Sequence, residues 1–233
     1  FQRVDGTQTF FINFTLDNFV AFFKEALFLQ VMLESIYLAA ISTMITLLIG
    51  YPLAYLIAQA KPKHQPIFIL LITAPMWINM LLRANALQQI FRMIAPNMLG
   101  TNFAIITGMV YIFLPFMVLP IYTVLAKLDK GYLESASDLG ANKFQTFLRV
   151  VLPLSLSGVL SGIMMVFLPA ATTLVIPKYL GENRYMIGDL IKTYMESGQL
   201  GRGAAISLIL AVVILGFVYL IKKTEHRTQG GSV

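Results

Sequence analysis

Cysteine is absent from all 233 residues of this chain, which excludes disulfides, thiolate metal sites and thiol nucleophiles. Histidine is nearly absent. His64 and His226 stand in short basic segments near opposite ends, with no HExxH or related ligand spacing beside either, so no metal centre is expected. Charge is scarce as well, at 12% of residues, where an ordinary soluble domain carries about a quarter. No GxxxxGK[ST] run offers a phosphate cradle, so the chain carries no nucleotide-driven motor of its own. The serines of Leu154-Ser155-Leu156-Ser157-Gly158 lack a GxSxG elbow and a nearby base, and Gly188-Asp189 supplies one aspartate without a second. An intramembrane hydrolase is therefore disfavoured.

What the chain has in abundance is apolar surface, with 58% hydrophobic residues. A soluble core cannot hide that much, and exposed patches drive association. The bilayer is the matching solvent. Crossing it takes about 20 apolar residues in a helix, because a helix satisfies its backbone groups without water. Five runs qualify, over roughly Val31 to Ala58, Pro66 to Leu82, Phe103 to Leu125, Leu156 to Ile176 and Ala204 to Ile221. They are continuous rather than alternating, which argues against a membrane barrel. The expected class is an all-α polytopic membrane protein of one domain over residues 1–233, with a membrane core over about 31–222.

The net charge of +6 would suggest nucleic acid only if the basic residues formed a stripe with aromatic platforms. They lie instead in loops between the runs, so nucleic acid is not an expected partner. Placing the basic breaks Lys61 to His64 and Lys222 to Arg227 in the cytoplasm puts the 128–153 loop and the 223–233 tail there too. The N-terminus and the loops near Met93 and Gly181 then lie outside. Lys and Arg divide nine inside to eight outside on that topology, so charge bias alone does not fix it. Five spans and a start at FQRVDGTQTF, without Met or leader, lead us to expect a sixth span upstream. Asn13-Phe14-Thr15 fits a glycosylation acceptor by pattern only. Within the extracytoplasmic 1–30 segment, Thr15 to Phe28 opens at Asp17 or Asn18 as a cap and reads as an interfacial helix. Pro52, Pro75, Pro115, Pro120 and Pro169 fall inside runs, where they either kink helices around a pathway or bend them for packing.

One polar segment interrupts the apolar runs, Glu134 to Pro153, ESASDLGANKFQTFLRVVLP. Leu133, Ala136 and Leu139 recur at three-residue spacing and predict a short amphipathic helix, ended at Gly140 by a left-handed cap. Asn142, with Gln145 three residues on, predicts a capping box for a second helix with an apolar face of Phe144, Phe147, Leu148 and Val151. Pro153 stops that helix or opens the next span. Glu134 and Asp138, four apart, project from one face. By these features alone the segment is either a solvated loop or a knob for a separate subunit.

The spacing Glu134-Ser135-Ala136, three residues, Gly140, nine residues, Val150-Val151-Leu152-Pro153 resembles the EAA motif of ABC importer permeases, with Ser135 in place of alanine and Val150 in place of isoleucine. FTLDNF near Phe14, PMWINMLLR at Pro75, YIFLPFMVLPIY at Tyr111 and LDKGYLESASDLGA extend the likeness over nearly the whole chain. Those stretches are similar to the B-type permease subunits of spermidine/putrescine importers. The resemblance implies a type I importer fold of six spans in a bacterial inner membrane. It implies a second permease subunit, two cytoplasmic ATPase subunits that bind ATP and Mg, and an extracytoplasmic polyamine-binding protein. No cofactor is then expected in this chain, which is a non-catalytic subunit. By the same likeness Glu134, Ser135, Ala136, Asp138, Leu139, Gly140 and Ala141 are expected to couple to an ATPase.

For a polycationic solute, aromatic faces and carboxylates are the fitting contacts. Trp77, Asn79, Tyr111, Asp189 and Glu34 are the candidates for the pathway, each also readable as packing or an interfacial anchor. Lys178, Lys192, Arg83 and Arg202 share the outward side and keep iron, sulfate, thiamine or phosphonate importers open. A self-contained carrier would need ionisable residues inside the spans, which are almost bare of them.

Overall fold

The computed structural model describes residues 17–182 and 184–229. The Asn13 to Thr15 acceptor and residues 230–233 of the tail lie outside the described residues, as do the side chains of Lys222, Lys223, His226 and Arg227. In chain order the helices are α1 (Asp17–Lys24), α2 (Ala26–Gln59), α3 (Gln65–Thr73), α4 (Met80–Ile94), α5 (Asn102–Leu125), α6 (Lys130–Asp138), α7 (Lys143–Thr146), α8 (Leu152–Leu154), α9 (Leu156–Thr172), α10 (Val175–Leu180), α11 (Ile187–Glu196) and α12 (Leu200–Gln229). Short 3-10 turns cover Ala74–Trp77 and Pro96–Met98, and a π turn covers Phe147–Val151. No strand occurs among the described residues.

Among the described residues three helices are long and apolar enough to cross a membrane, within Leu27–Gln59, Asn102–Leu125 and Leu200–Tyr219, and two bent pairs bring the number to as many as five. Two of the five expected runs are therefore not straight spans. The run expected over Pro66 to Leu82 breaks at Ile78, and α3 with its 3-10 turn meets α4 at 93°. Pro75 opens the 3-10 turn, Ile78 is extended at φ −88° and ψ 136°, and Asn79 caps α4 by accepting the Leu81 N–H at 2.8 Å. The fourth run ends at Thr172 instead of Ile176. Thr173 is extended and Ile176 belongs to α10, while α9 meets the preceding helix at 64°. Pro52, Pro115, Pro120 and Pro169 stay inside helices, so only Pro75 sits at a break. The interfacial stretch also divides differently. Only Asp17–Lys24 forms α1, and its last residues belong to α2.

The core is the mutual packing of α2, α5 and α9. α5 is the most enclosed, 61% buried over its apolar window against 22% for α12, because it presents buried residues from Ala104 to Leu125 on several faces. Gly158 lets α9 approach it. A Cβ there would fall 2.9 Å from the Pro120 carbonyl oxygen and 3.1 Å from the Ile121 Cα. Hydroxyls buried in α2 bond within the helix or to a neighbour. Thr43 and Thr46 donate to carbonyls one turn back at 2.7 and 2.6 Å, and Ser42 donates to Met109 Sδ. A second, smaller cluster of Phe28, Met32, Ile187, Ile206 and Leu210 joins the start of α2 to α11 and α12.

Candidate functional site

α2 and α5 each run the length of the bundle, so they define two ends, one carrying Glu134 and the other carrying Arg184. At the Glu134 end, Asp129 starts α6 by accepting the Gly131 N–H at 3.0 Å. Gly140 ends it at φ +80°. The Gly140 N–H bonds to the Ser137 carbonyl at 2.9 Å and the Ala141 N–H to the Ala136 carbonyl at 3.0 Å, the paired bonds of a Schellman turn. Nothing lies within 4 Å of where a Gly140 Cβ would sit, so glycine is required there by backbone conformation alone. The Asn142 and Gln145 capping box follows, with bonds of 2.8 and 3.0 Å. The second helix continues through the π turn into Leu152–Leu154, where Pro153 sits at its first positions.

Aromatic packing fixes this segment to the body. Phe147 meets Tyr51 and Tyr55 edge-on, with centroids at 5.6 and 5.7 Å, contacts worth about 0.5–1.5 kcal/mol each beyond their buried area. Tyr51 Oη lies 2.8 Å from Ser155 Oγ. Ser155 donates its own proton to the Leu152 carbonyl at 3.1 Å, so Tyr51 is the donor. Beside it, Gln65 bonds the Ala58 and Ala60 carbonyls and accepts from Tyr122 Oη. α6 itself stands off from the body. Hollows of about 540 and 600 Å³ flank Leu133, lined by Tyr55 and Gln59 on both sides.

The expected coupling residues share this projection. Glu134, Ser135, Asp138, Leu139 and Gly140 are exposed, Ala141 is half-buried, and Ala136 is the buried contact. Glu134 and Asp138 make no hydrogen bond or ion pair among the described residues. Leu139 does not join the inward face as its spacing suggested and is 88% exposed. Six residues after Leu133 bring a side chain about 240° round the axis, and Leu139 is already the C-cap, where the chain leaves the helix. With Tyr132 and Phe144 also exposed, the projection presents apolar side chains around two free carboxylates.

The pathway candidates fall in three places. Trp77 and Asn79 sit at the break before α4. Trp77 is 85% exposed and the Asn79 side chain is spent on its cap. Tyr111 is exposed on α5, with no hydrogen bond or ring contact to either. Glu34 and Asp189 lie together at the Arg184 end, linked where the Ile187 N–H donates to Ser35 Oγ at 2.8 Å. Asp189 accepts the Met186 N–H at 3.3 Å. Burial raises its pKa, and that bond together with Lys192 and Lys178 pulls it back. Glu34 pairs with Arg184 at 3.1 Å.

Sequence reasoning missed Arg184, Tyr51 and Gln65, because their partners are 150, 104 and 57 positions away. It placed Arg83 among the outward-side cations without foreseeing its burial. This cation is 7% exposed on α4, and its Nε and Nη1 have no hydrogen-bond partner among the described residues.

A five-run helical membrane bundle with broken spans and a projecting polar loop defines a class. Residues 10–228 match the family of binding-protein-dependent transport system inner membrane components, and the chain belongs to that family, a multi-pass protein of the inner membrane. It is 36% identical to the spermidine/putrescine transport system permease protein PotB of Haemophilus influenzae over 94% of this chain and 83% of that one. It is 35% identical to the PotB of Escherichia coli strain K12 over 89% and 81%. Among solved structures, a chain of the inward-facing MetNI methionine ABC transporter superposes with TM-score 0.66 at 18% identity, covering 88% of this chain and 96% of that one. A chain of a bacterial ABC transporter involved in alginate import gives 0.69 at 16%, covering 94% and 85%. The fold is the type I ABC importer permease fold.

Proposed function

We propose that the chain is one of two related permease subunits of an ATP-driven polyamine importer and forms half of the route for spermidine or putrescine. Its likeness to the PotB permeases over most of both chains carries the substrate class. The projecting α6 turn, with two carboxylates free and apolar side chains around them, supports a knob seated in a groove of a cytoplasmic ATPase. In this reading two ATPase subunits bind ATP and Mg, and a binding protein delivers the solute on the other side. The Glu134 end and the C-terminus are cytoplasmic, and the N-terminus of this chain is extracytoplasmic. Closure of the ATPase pair pushes α6, Phe147 passes the movement to Tyr51 and Tyr55 on α2, and the bundle rocks as a near-rigid body.

Proteoliposomes holding the whole complex test it. Glu134→Arg should leave assembly and ATP hydrolysis in place while spermidine uptake falls to background; uptake at the wild-type rate would refute the coupling role. One observation favours a second reading. Arg83 is buried with its Nε and Nη1 unpaired among the described residues, and Lys178, Lys192 and Arg202 are also cationic, which suits an importer of an anionic solute such as sulfate or phosphonate. Uptake of labelled sulfate in place of spermidine would establish that reading.

A further inference from the structure

At the Arg184 end, two consecutive residues of α2 grip one loop. Ser35 Oγ donates to the Val31 carbonyl at 2.7 Å and accepts the Ile187 N–H at 2.8 Å, and it is buried. That arrangement fixes the α2 backbone beside the loop. One residue before it, Glu34 accepts from Arg184 Nη1 at 3.1 Å, and the same Nη1 also reaches Asn102 Oδ1 at the start of α5. Both members of the ion pair remain partly open, 42% for Arg184 and 46% for Glu34. They border a hollow of about 400 Å³ whose other walls are Leu27, Val31, Tyr185 and Leu190. Glu34 is thus a carboxylate neutralised by a resident cation that has a second acceptor to fall back on.

The walls select the class of visitor. A divalent metal ion needs several oxygen ligands, and the hollow brings one carboxylate; no group of three or more His, Cys, Asp or Glu that could hold a metal occurs among the described residues. An aliphatic amine needs what is present: a carboxylate for a charge-assisted hydrogen bond from an ammonium, leucine and valine walls for methylenes, and an exposed tyrosine ring for cation-π contact. The volume lies within the range of small-molecule pockets.

We propose that this hollow is a subsite for an aliphatic di- or polyamine, in which a ligand ammonium displaces the Arg184 guanidinium from Glu34 and leaves Arg184 on Asn102. The proposal rests on the polyamine reading and deepens it. Under the proposed orientation the subsite faces outward, where solute leaves the binding protein. Arg184 occupies it between ligands, so affinity is held down by the exchange. Removing the guanidinium therefore raises affinity, and removing the carboxylate's charge lowers it.

The test uses the purified complex without nucleotide and measures binding of labelled spermidine and putrescine by equilibrium dialysis, with Glu34→Gln and Arg184→Gln beside the wild type. Glu34→Gln should weaken binding roughly tenfold or more, the worth of one hydrogen bond to a charged group. Arg184→Gln should tighten it, an outcome that a damaged fold does not produce, and magnesium should not compete. Equal binding by the wild type and Glu34→Gln, weaker binding by Arg184→Gln, or no binding by the wild type each overturns the subsite. Uptake into proteoliposomes separates the two claims. If the wild type imports spermidine and both variants match it in uptake and binding, the subsite alone fails. If the wild type imports no polyamine, the functional reading fails.

Discussion

The two ends of the bundle are built from different forces. At the Glu134 end the loop is secured by ring packing of Phe147 on Tyr51 and Tyr55, by the Tyr51 to Ser155 bond and by two backbone caps, while Glu134 and Asp138 stay unpaired. At the Arg184 end four carboxylates are engaged, Glu34 with Arg184, Glu25 with Arg202 at 3.9 Å, Glu196 with Lys192 at 3.6 Å and Asp189 with a backbone N–H, while Glu182 is exposed and pairs with nothing among the described residues. Aromatic contacts are short-ranged and insensitive to salt, so they suit a joint of the kind the proposed coupling needs. Ion pairs at partly exposed positions contribute little stability and exchange partners readily, which suits a surface that opens to a charged solute. Unpaired carboxylates on a projecting turn suit a protein partner.

The largest expected break of this contrast is Phe147→Ala. Removing a half-buried ring that bridges two tyrosines should cost about 2–3 kcal/mol, below the full cost of a buried Phe→Ala change. The loss should be confined to one end. Limited trypsin digestion should cut faster at Lys127, Lys143 and Arg149 while sites at the Arg184 end keep their wild-type rate. If both ends loosen together, the bundle transmits strain globally and the two ends are not separate joints.

How far each end was legible in the sequence follows from the range of its forces. The Schellman turn at Gly140 and the Asn142 box are contacts among residues within five positions, so spacing alone predicts them. The apolar runs were legible for the same reason, since the bilayer requires continuous stretches. The break at Ile78 was half-visible: Pro75 marked it, but that Pro75 breaks its helix while Pro115 and Pro120 do not depends on the α5 packing around the latter two. At the Arg184 end Glu34 and Asp189 stood out as candidate carboxylates, but their partners did not. Glu34 and Arg184 are 150 positions apart, and nothing local marks them as a pair. Leu139 misled because a three-residue repeat fits a helical face only briefly, and its helix had already ended.

Arg83 belongs to neither pattern, being buried and charged with no ion pair among the described residues. Burying charged N–H groups without acceptors is costly, and even buried ion pairs are often replaced by well-packed apolar residues with a gain of about 1–4 kcal/mol. Arg83→Met should therefore raise the thermal midpoint of the isolated subunit in detergent. A lowered midpoint would mean that the guanidinium has an acceptor in the subunit after all, and that charge contributes to this part of the fold as it does at the Arg184 end.

The smallest effect expected is also the sharpest test of the contrast. Arg202→Gln removes a pair whose closest atoms are 3.9 Å apart and whose side chains are both 42% exposed. Such pairs are worth about 0.2–1 kcal/mol, and salt screens them over a Debye length of about 8 Å at physiological strength. The change should therefore lower the melting midpoint slightly in low salt and not at all in 1 M salt, where the Debye length falls to about 3 Å. The loss from Phe147→Ala should be the same in both. Ring packing holds no net charge for salt to screen, so a salt-independent deficit in Arg202→Gln would mean that its aliphatic stem stabilises by burial and not by charge. In that case the Arg184 end, like the Glu134 end, would be held by packing, and its ion pairs would be free to serve the solute alone.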